Sequence, residues 1–304
     1  MKYIVFDITN LLYRTFFANK SEDNTTVAGL AHHSALTTLA KYNREFKPHK
    51  LIMCFDRKSW RKEYTESEEA LTPKQYKGNR RQKMTPKEKE KYKQFLSHLG
   101  DFEEMIREHT TIAALAGDGL EADDLMAGCC QVLTMDPDNE VILVSADKDM
   151  IQLLDYPNTR LIDPAGGKDR TLDEWGGDAE LFMFEKCIRG DAGDNVQSAY
   201  PRVKKTRIMK AWEDDYERAN LMNATWTHPD GTEFVVKQLY KENELLMHLG
   251  KQPEQIQAQI VKTVLRGLKD PGSFSYFHFM KFLGKFELKK VAENATNFVD
   301  MLSR

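Results

Sequence analysis

Nine carboxylates recur at short intervals in a few segments of this 304-residue chain: Asp7, Asp56, Glu121, Asp123, Asp124, Asp147, Asp149, Asp191 and Asp194. Singly, each has an ordinary explanation as a helix cap, a complement to a helix dipole or a turn residue. Their positions argue for something more. Tyr3-Ile-Val-Phe6 leads to Asp7, Leu51-Ile-Met-Cys-Phe55 to Asp56, and Val141-Ile-Leu-Val144 through Ser145 and Ala146 to Asp147 and Asp149. Continuous apolar runs of this length fit strands buried on both faces of a parallel sheet. In open α/β sheets the ligand site lies beyond the carboxyl ends of the strands. Carboxylates gathered there could not all ionise without cations between them. A donor set of oxygens alone, without His or Cys, favours Mg²⁺ or Mn²⁺ over zinc. The eight histidines show no nucleophile pairing, and Cys54, Cys129, Cys130 and Cys187 lack the Cys-x-x-Cys spacing of a zinc site or redox motif.

Around these runs the chain alternates. Helices are expected over 27–46 and 123–133, with a further strand at Thr111–Leu115 closed by Gly117. Residues 57–93 break the rhythm: they are charged, poor in aliphatics, and far longer than the ~2–6 residues of an ordinary connection. They read as an insertion that becomes helical from Thr85-Pro86, where proline suits a first turn. Turns are expected at Pro164–Gly167 and Gly176-Gly177, and from Asp178 the pattern is helical to the end with no further strand. The fold class that follows is α/β: a mostly parallel central sheet flanked by helices, with a helical insertion and a C-terminal helical domain. The expected division is 1–185 for the core, insertion 57–93 included, and 186–304 for the helical domain.

Charge is unevenly spread. The net charge is −3, yet Lys74–Lys93 holds nine basic residues against Glu88 and Glu90, and Arg202–Lys210 holds five with no acid. Asp118–Asp149 reverses the balance, with nine acids against Lys148. Two basic segments around an acidic centre suggest a polyanion held near a metal-loaded site. With 41% hydrophobic residues the chain can build a sizeable core, and no stretch approaches the ~20 apolar residues of a membrane helix. The apolar start is too short for a signal peptide. A cytoplasmic, monomeric protein without membrane contact is expected.

Six motifs in order resemble the phage and bacterial 5′-nucleases, relatives of the flap endonucleases. They are Val5-Phe-Asp-Ile-Thr-Asn-Leu-Leu-Tyr-Arg14, Cys54-Phe-Asp-Arg57, Tyr76-Lys-Gly-Asn-Arg80, Gly119-Leu-Glu-Ala-Asp-Asp124, Ser145-Ala-Asp-Lys-Asp149 and Gly190-Asp-Ala-Gly-Asp-Asn195. The resemblance covers roughly the first 200 residues and is loose beyond them. It implies a PIN-like nuclease core, a helical arch, and two Mg²⁺ ions for which Mn²⁺ may substitute. By motif position Asp7, Asp56, Glu121, Asp123 and Asp147 would serve the first ion, and Asp149, Asp191 and Asp194 the second. Asp124 completes the motif without a settled ion. Lys77 and Arg80 match arch positions that contact the scissile phosphate. Arg81 and Lys83 are expected as backbone contacts or solvated charges.

One departure stands out. After Asn195 the family continues with a glycine-rich hairpin that grips duplex DNA, whereas Val196–Arg207 here contains no glycine. Arg202, Lys204, Lys205 and Arg207 are the expected substitutes, and a potassium site is not expected. The implied activity is 5′→3′ exonuclease and flap endonuclease cleavage during lagging-strand processing. Its substrates would be 5′-flap, nicked or forked DNA and RNA–DNA hybrids, giving 5′-phosphate products, with a single-strand-binding protein or sliding clamp as candidate partners. Two alternatives remain: a catalytically weak DNA-binding relative, and a haloacid-dehalogenase-like phosphatase. The latter wants a second aspartate where Thr9 stands.

Overall fold

The structure is a computed structural model and describes residues 1–19, 24–82 and 84–304. It forms two compact units. The first comprises Met1–Arg57, Thr85–Arg170 and Ala258–Arg304; the second comprises Lys58–Met84 and Thr171–Gln257.

The first unit is built on a six-stranded sheet: β1 (Lys2–Asp7), β2 (Lys50–Cys54), β3 (Ala113–Leu115), β4 (Glu140–Val144), β5 (Thr159–Asp163) and β6 (Lys168–Arg170). Their order is β3-β2-β1-β4-β5-β6, parallel except for β6. Ile4, Val5, Phe6, Ile52, Met53, Val141, Ile142 and Leu143 are completely buried, as continuous apolar strands require. The register sets Asp7 beside Cys54 and Phe6 beside Val144, so β1, β2 and β4 end together.

Helices α1 (Ile8–Ala18) and α2 (Asn24–Phe46) follow β1. In the second unit lie the short helices α3 (Trp60–Glu66) and α4 (Gly78–Gln82). Next comes α5 (Pro86–His109), which starts on a capping box: Thr85 N–H donates to Glu88 at 2.7 Å, and Glu88 N–H returns to Thr85 Oγ1. Its first turns are charged and exposed. From Phe95 it buries Leu99, Phe102, Met105 and Ile106 in the core. Helix α6 (Ala122–Leu133) links β3 to β4.

The second unit continues with α7 (Ala179–Arg189), α8 (Lys205–Glu213), α9 (Asp215–Met222), a β7–β8 hairpin (Thr225–Thr227 and Glu233–Val235) and α10 (Val236–Met247). Its core gathers Phe184, Ile188, Ile208, Leu221, Val236 and Leu239. Helix α11 (Glu254–Lys269) passes from the second unit into the first. Helices α12 (Tyr276–Lys285), α13 (Lys289–Glu293) and α14 (Thr296–Leu302) complete the chain. No helix among the described residues is long and apolar enough to cross a membrane.

Three sequence expectations change. The compact units do not divide at residue 185: the C-terminal segment returns to the sheet unit, because Phe279, Phe282, Leu283, Phe298 and Leu302 bury themselves with Leu36 and Phe102. The insertion 57–93 is likewise split. Residues 58–84 fold with the second unit, and 86–93 are the exposed start of a core helix. Finally, a hairpin interrupts the helical C-terminal half, closed by His228-Pro-Asp-Gly231, where Gly231 takes φ 92°. Strands of three residues leave little apolar pattern to read.

His32 carries an unusual burden in the core. It is 1% exposed, lies parallel to Phe102 and edge-on to Phe286, and neither ring nitrogen finds a hydrogen-bond partner among the described residues. Burial, with the charges of His98 and Lys285, pushes its pKa down to about 3. The unfolded chain therefore takes up this proton first, and His32 lowers stability progressively as pH falls from 6.5 towards 3. His32→Leu is expected to raise unfolding stability by about 1–3 kcal/mol, the usual cost of an unpaired buried polar group, and to flatten the acid limb. Urea melts from pH 7 to pH 4 measure both; a destabilised variant with an unchanged acid limb would contradict the assignment.

Candidate metal centre and cation cluster

The parallel register brings acidic side chains to one edge of the first unit, and hydroxyls and amides fix them. Asp7 ends β1 and caps α1, with Oδ1 accepting Asn10 N–H at 3.1 Å. Its other oxygen accepts the Ser145 hydroxyl at 3.0 Å, and Ser145 Oγ in turn accepts Asp147 N–H at 3.0 Å. One buried serine thus ties the end of β1 to the segment after β4. Thr9 acts similarly across the sheet: its hydroxyl accepts Asp56 N–H at 3.0 Å. Asp56 Oδ1 receives Ala122 N–H at 2.7 Å, placing that carboxylate at the first turn of α6 beside Glu121 and Asp123. Asp147 Oδ1 receives Asp149 N–H at 2.9 Å.

These groups feel one another. Burial, then the charges of Asp56 and Asp147, push Asp7 up to about 7 despite its two hydrogen bonds. Among the described residues no three His, Cys, Asp or Glu side chains form a ready-made chelate. The donor chemistry nevertheless fits a hard divalent cation: oxygen ligands only, mutual repulsion at Asp7, and open faces at Asp56 and Asp147, both exposed. The cysteines are buried free thiols.

Asp124 is set apart. It is completely buried, and its Oδ2 accepts Glu121 N–H at 3.0 Å, which caps the helix it belongs to. Its carboxylate thus holds the turn that carries Glu121 and Asp123. Near Asp7, Phe16 is 1% exposed in the core, whereas Tyr13 is 38% exposed and meets Phe95 edge-on.

The second unit holds the remaining predicted residues, and here two motifs bind each other. Asp191 and Val196 exchange both backbone hydrogen bonds, closing a tight loop. Gly190 turns into it at φ 68°, and a side chain there would run into Gln197. Asp191 Oδ1 accepts Gly193 and Asp194 N–H, and Oδ2 lies 3.0 Å from Lys186 Nζ. Asp194 faces Tyr76-Lys-Gly-Asn-Arg80. It accepts the Tyr76 hydroxyl at 2.9 Å and pairs with Arg80, while Lys77 Nζ stands 3.8 Å away. Lys77 itself takes a φ of 55° and donates its N–H to Asp194 O. Lys77 and Arg80 are thus held by a neighbouring acid rather than carried on a free loop.

Of the other basic residues, Arg202 and Lys204 are exposed, and Arg202 has φ 59°. Lys205 approaches Glu185 at 3.7 Å, and Arg207 lies over Tyr200 and donates to its hydroxyl. Lys83 and the side chain of Arg81 lie outside the described residues. Sequence reasoning left Thr9, Ser145, Tyr76 and Lys186 out of the site. The first three sit inside the quoted motifs, which was the available signal; Lys186 is paired only through folding.

Residues 2–180 match the family described as 5′-3′ exonuclease, N-terminal resolvase-like domain. The chain belongs to this 5′-3′ exonuclease family. It is 28% identical over 178 residues to the ribonuclease H of Enterobacteria phage T4, covering 54% of each chain, so it matches about half the length of that curated relative. Among solved structures, a bacteriophage T5 protein co-crystallised with metal ions aligns at a TM-score of 0.64 and 21% identity, covering 88% of this chain and 100% of that one. A bacteriophage T5 flap endonuclease in a complex with DNA and metal ions aligns at 0.63 and 21%, covering 89% and 100%. A T5 5′-exonuclease with bound zinc aligns at 0.61 and 20%, covering 88% and 100%. At these identities the likeness establishes the fold: a mostly parallel sheet flanked by helices.

Because the folded state holds the Asp7 proton more tightly than the unfolded chain does, this residue's favourable contribution is full below about pH 4 and is lost as pH rises through about 7. In metal-free buffer at pH 8, Asp7→Asn is therefore expected to melt higher than the wild type, with the difference shrinking towards pH 4. Thermal melts in chelator across that range are the check. A variant that melts lower at pH 8 would contradict the charge crowding.

Proposed function

We propose that this protein is a divalent-metal-dependent 5′-nuclease that hydrolyses phosphodiesters at 5′ flaps and 5′ ends of DNA, leaving a 5′-phosphate. The observation that carries the reading is the convergence of Asp7, Asp56 and Asp147 at one sheet edge, clipped by Thr9 and Ser145. Asp7, Asp56, Glu121, Asp123, Asp147 and Asp149 are the proposed ligands, with Mg²⁺ the proposed ion. Bound there, two such ions would lower the pKa of an attacking water and offset charge on the leaving oxygen. Ser145 and Thr9 would hold their carboxylates in position, and Asp124 would orient the α6 turn. In the second unit, Lys77 and Arg80 are proposed to turn from Asp194 to the phosphate, an exchange of one anion for another. RNA primers in hybrids, and hence lagging-strand processing, extend the same chemistry.

The phosphatase alternative loses its footing at Thr9. That residue is 8% exposed and uses its hydroxyl to hold Asp56, so it supplies no second carboxylate. The catalytically weak DNA-binding alternative has no missing strand-end acid to support it.

Two measurements test the proposal. A 5′-labelled flap duplex incubated with Mg²⁺ should be cut by the wild type and not in chelator. Asp149→Asn should lose cleavage by at least ~10²-fold, the scale of one lost electrostatic partner, while still binding the duplex in Ca²⁺; near wild-type cutting by that variant would contradict the ligand set. Lys204→Ala combined with Lys205→Ala should lower the salt dependence of nicked-duplex binding by roughly two units of log–log slope, about 0.9 per lost phosphate contact. An unchanged slope would make the start of α8 a solvated helix face.

A further inference from the structure

We infer that Arg57 is a contact for a nucleic-acid backbone phosphate at the acidic edge of the first unit, held ready by the buried Glu103; the inference rests on the nuclease reading above. Arg57 directly follows Asp56. Its N–H donates to Leu120 O at 2.9 Å, which fixes the main chain against the loop leading into α6. Its guanidinium donates through Nη1 to Asp56 O at 3.1 Å and through Nη2 to Glu103 Oε1 at 2.5 Å.

Glu103 projects from α5 and is 9% exposed. The same oxygen accepts Arg107 Nη2 at 2.6 Å, and Arg107 spends its other arm on Ala114 O at 2.9 Å. One carboxylate therefore serves two guanidiniums, and the trio carries a net charge of about +1, since arginine stays protonated in proteins. A mere staple between strand and helix needs only one of them. Arg107 already neutralises Glu103, so Arg57 brings a surplus charge beside Asp56.

The two arginines are engaged alike, each giving Nη1 to a backbone carbonyl and Nη2 to Glu103, and differ in where they lie. Arg107, 37% exposed, reaches to Ala114 O in β3, whereas Arg57 directly follows the strand-end acid Asp56. Arg57 keeps a side chain 36% exposed, and two of its five N–H groups are engaged by the contacts above. The remaining donors form part of a rigid fork that suits phosphate oxygens. Anchoring one nitrogen on a buried carboxylate fixes the fork in advance, so little side-chain freedom remains to be lost on binding. In an acidic edge, such a group offsets repulsion between the carboxylates and an approaching phosphate.

The test uses the full chain, with Ca²⁺ replacing Mg²⁺ to hold cleavage off, and follows anisotropy of a fluorescent 5′-flap duplex across a KCl series. Arg57→Gln keeps a donor for Glu103 but loses the charge. It should weaken binding and reduce the log–log salt slope by about 0.7–0.9, one phosphate contact. Arg57→Lys should restore the slope while binding more weakly than wild type, and Glu103→Gln should keep the slope with reduced affinity. A normal slope in Arg57→Gln, with or without a lower melting point, would overturn the inference and leave a structural staple. If wild type binds the flap but does not cut it in Mg²⁺, the nuclease reading fails while a slope change would still uphold the contact.

Discussion

The architecture turns on carboxylates that repel one another and are nonetheless brought to one edge by a parallel register. Asp7 shows the tension: it is buried, faces the charges of Asp56 and Asp147, and is pushed towards neutrality although two hydrogen bonds favour its charged form. The surrounding structure is arranged to tolerate that crowding. Hydroxyls of Thr9 and Ser145 tie neighbouring strand ends together, and the amides that open α6 meet Asp56 and Asp124. None of these partners brings a formal charge, so the repulsion at Asp7 persists. The second unit solves the same problem differently, with Lys186 on Asp191, and Lys77 and Arg80 on Asp194. In the second unit these two acids already hold side-chain cations.

This contrast gives the motifs a physical order. Tyr76–Arg80 and Gly190–Asn195 are far apart in sequence but interlock through Tyr76, Asn79, Arg80 and Asn195. In the proposed function, a phosphate would have to compete with Asp194 for this basic pair. Arg57 repeats the device on the sheet unit with Glu103, although there the acid is shared and a positive charge is left over.

Much of this was legible in the sequence because local chemistry and topology agree. β1, β2 and β4 announce themselves as continuous apolar runs ending in acids, since both faces of each strand are covered. β5 and β6 were not legible: Thr159-Arg-Leu-Ile-Asp163 has two aliphatics, and Lys168-Asp-Arg170 is an edge strand made wholly of charged residues, the kind that discourages edge-to-edge pairing. The return of Ala258–Arg304 to the sheet unit was hidden because it depends on where Phe279, Phe282 and Phe298 find their partners, not on any local pattern. At the site, the acids could be listed from motif spacing, but the Asp194 pairings and the Glu103 clamp join residues from different segments. The structural task of Asp124 emerged only from its burial and its bond to Glu121.

The clipped strand-end acids are proposed to form a divalent-cation site. Its most direct test is Mn²⁺ binding followed by electron paramagnetic resonance on the wild type and on an Asp7→Asn, Asp147→Asn double variant. The wild type is expected to take up Mn²⁺, Mg²⁺ to displace it, and the double variant to lose the binding while retaining its fold by circular dichroism. Unchanged Mn²⁺ uptake by the folded double variant would contradict it.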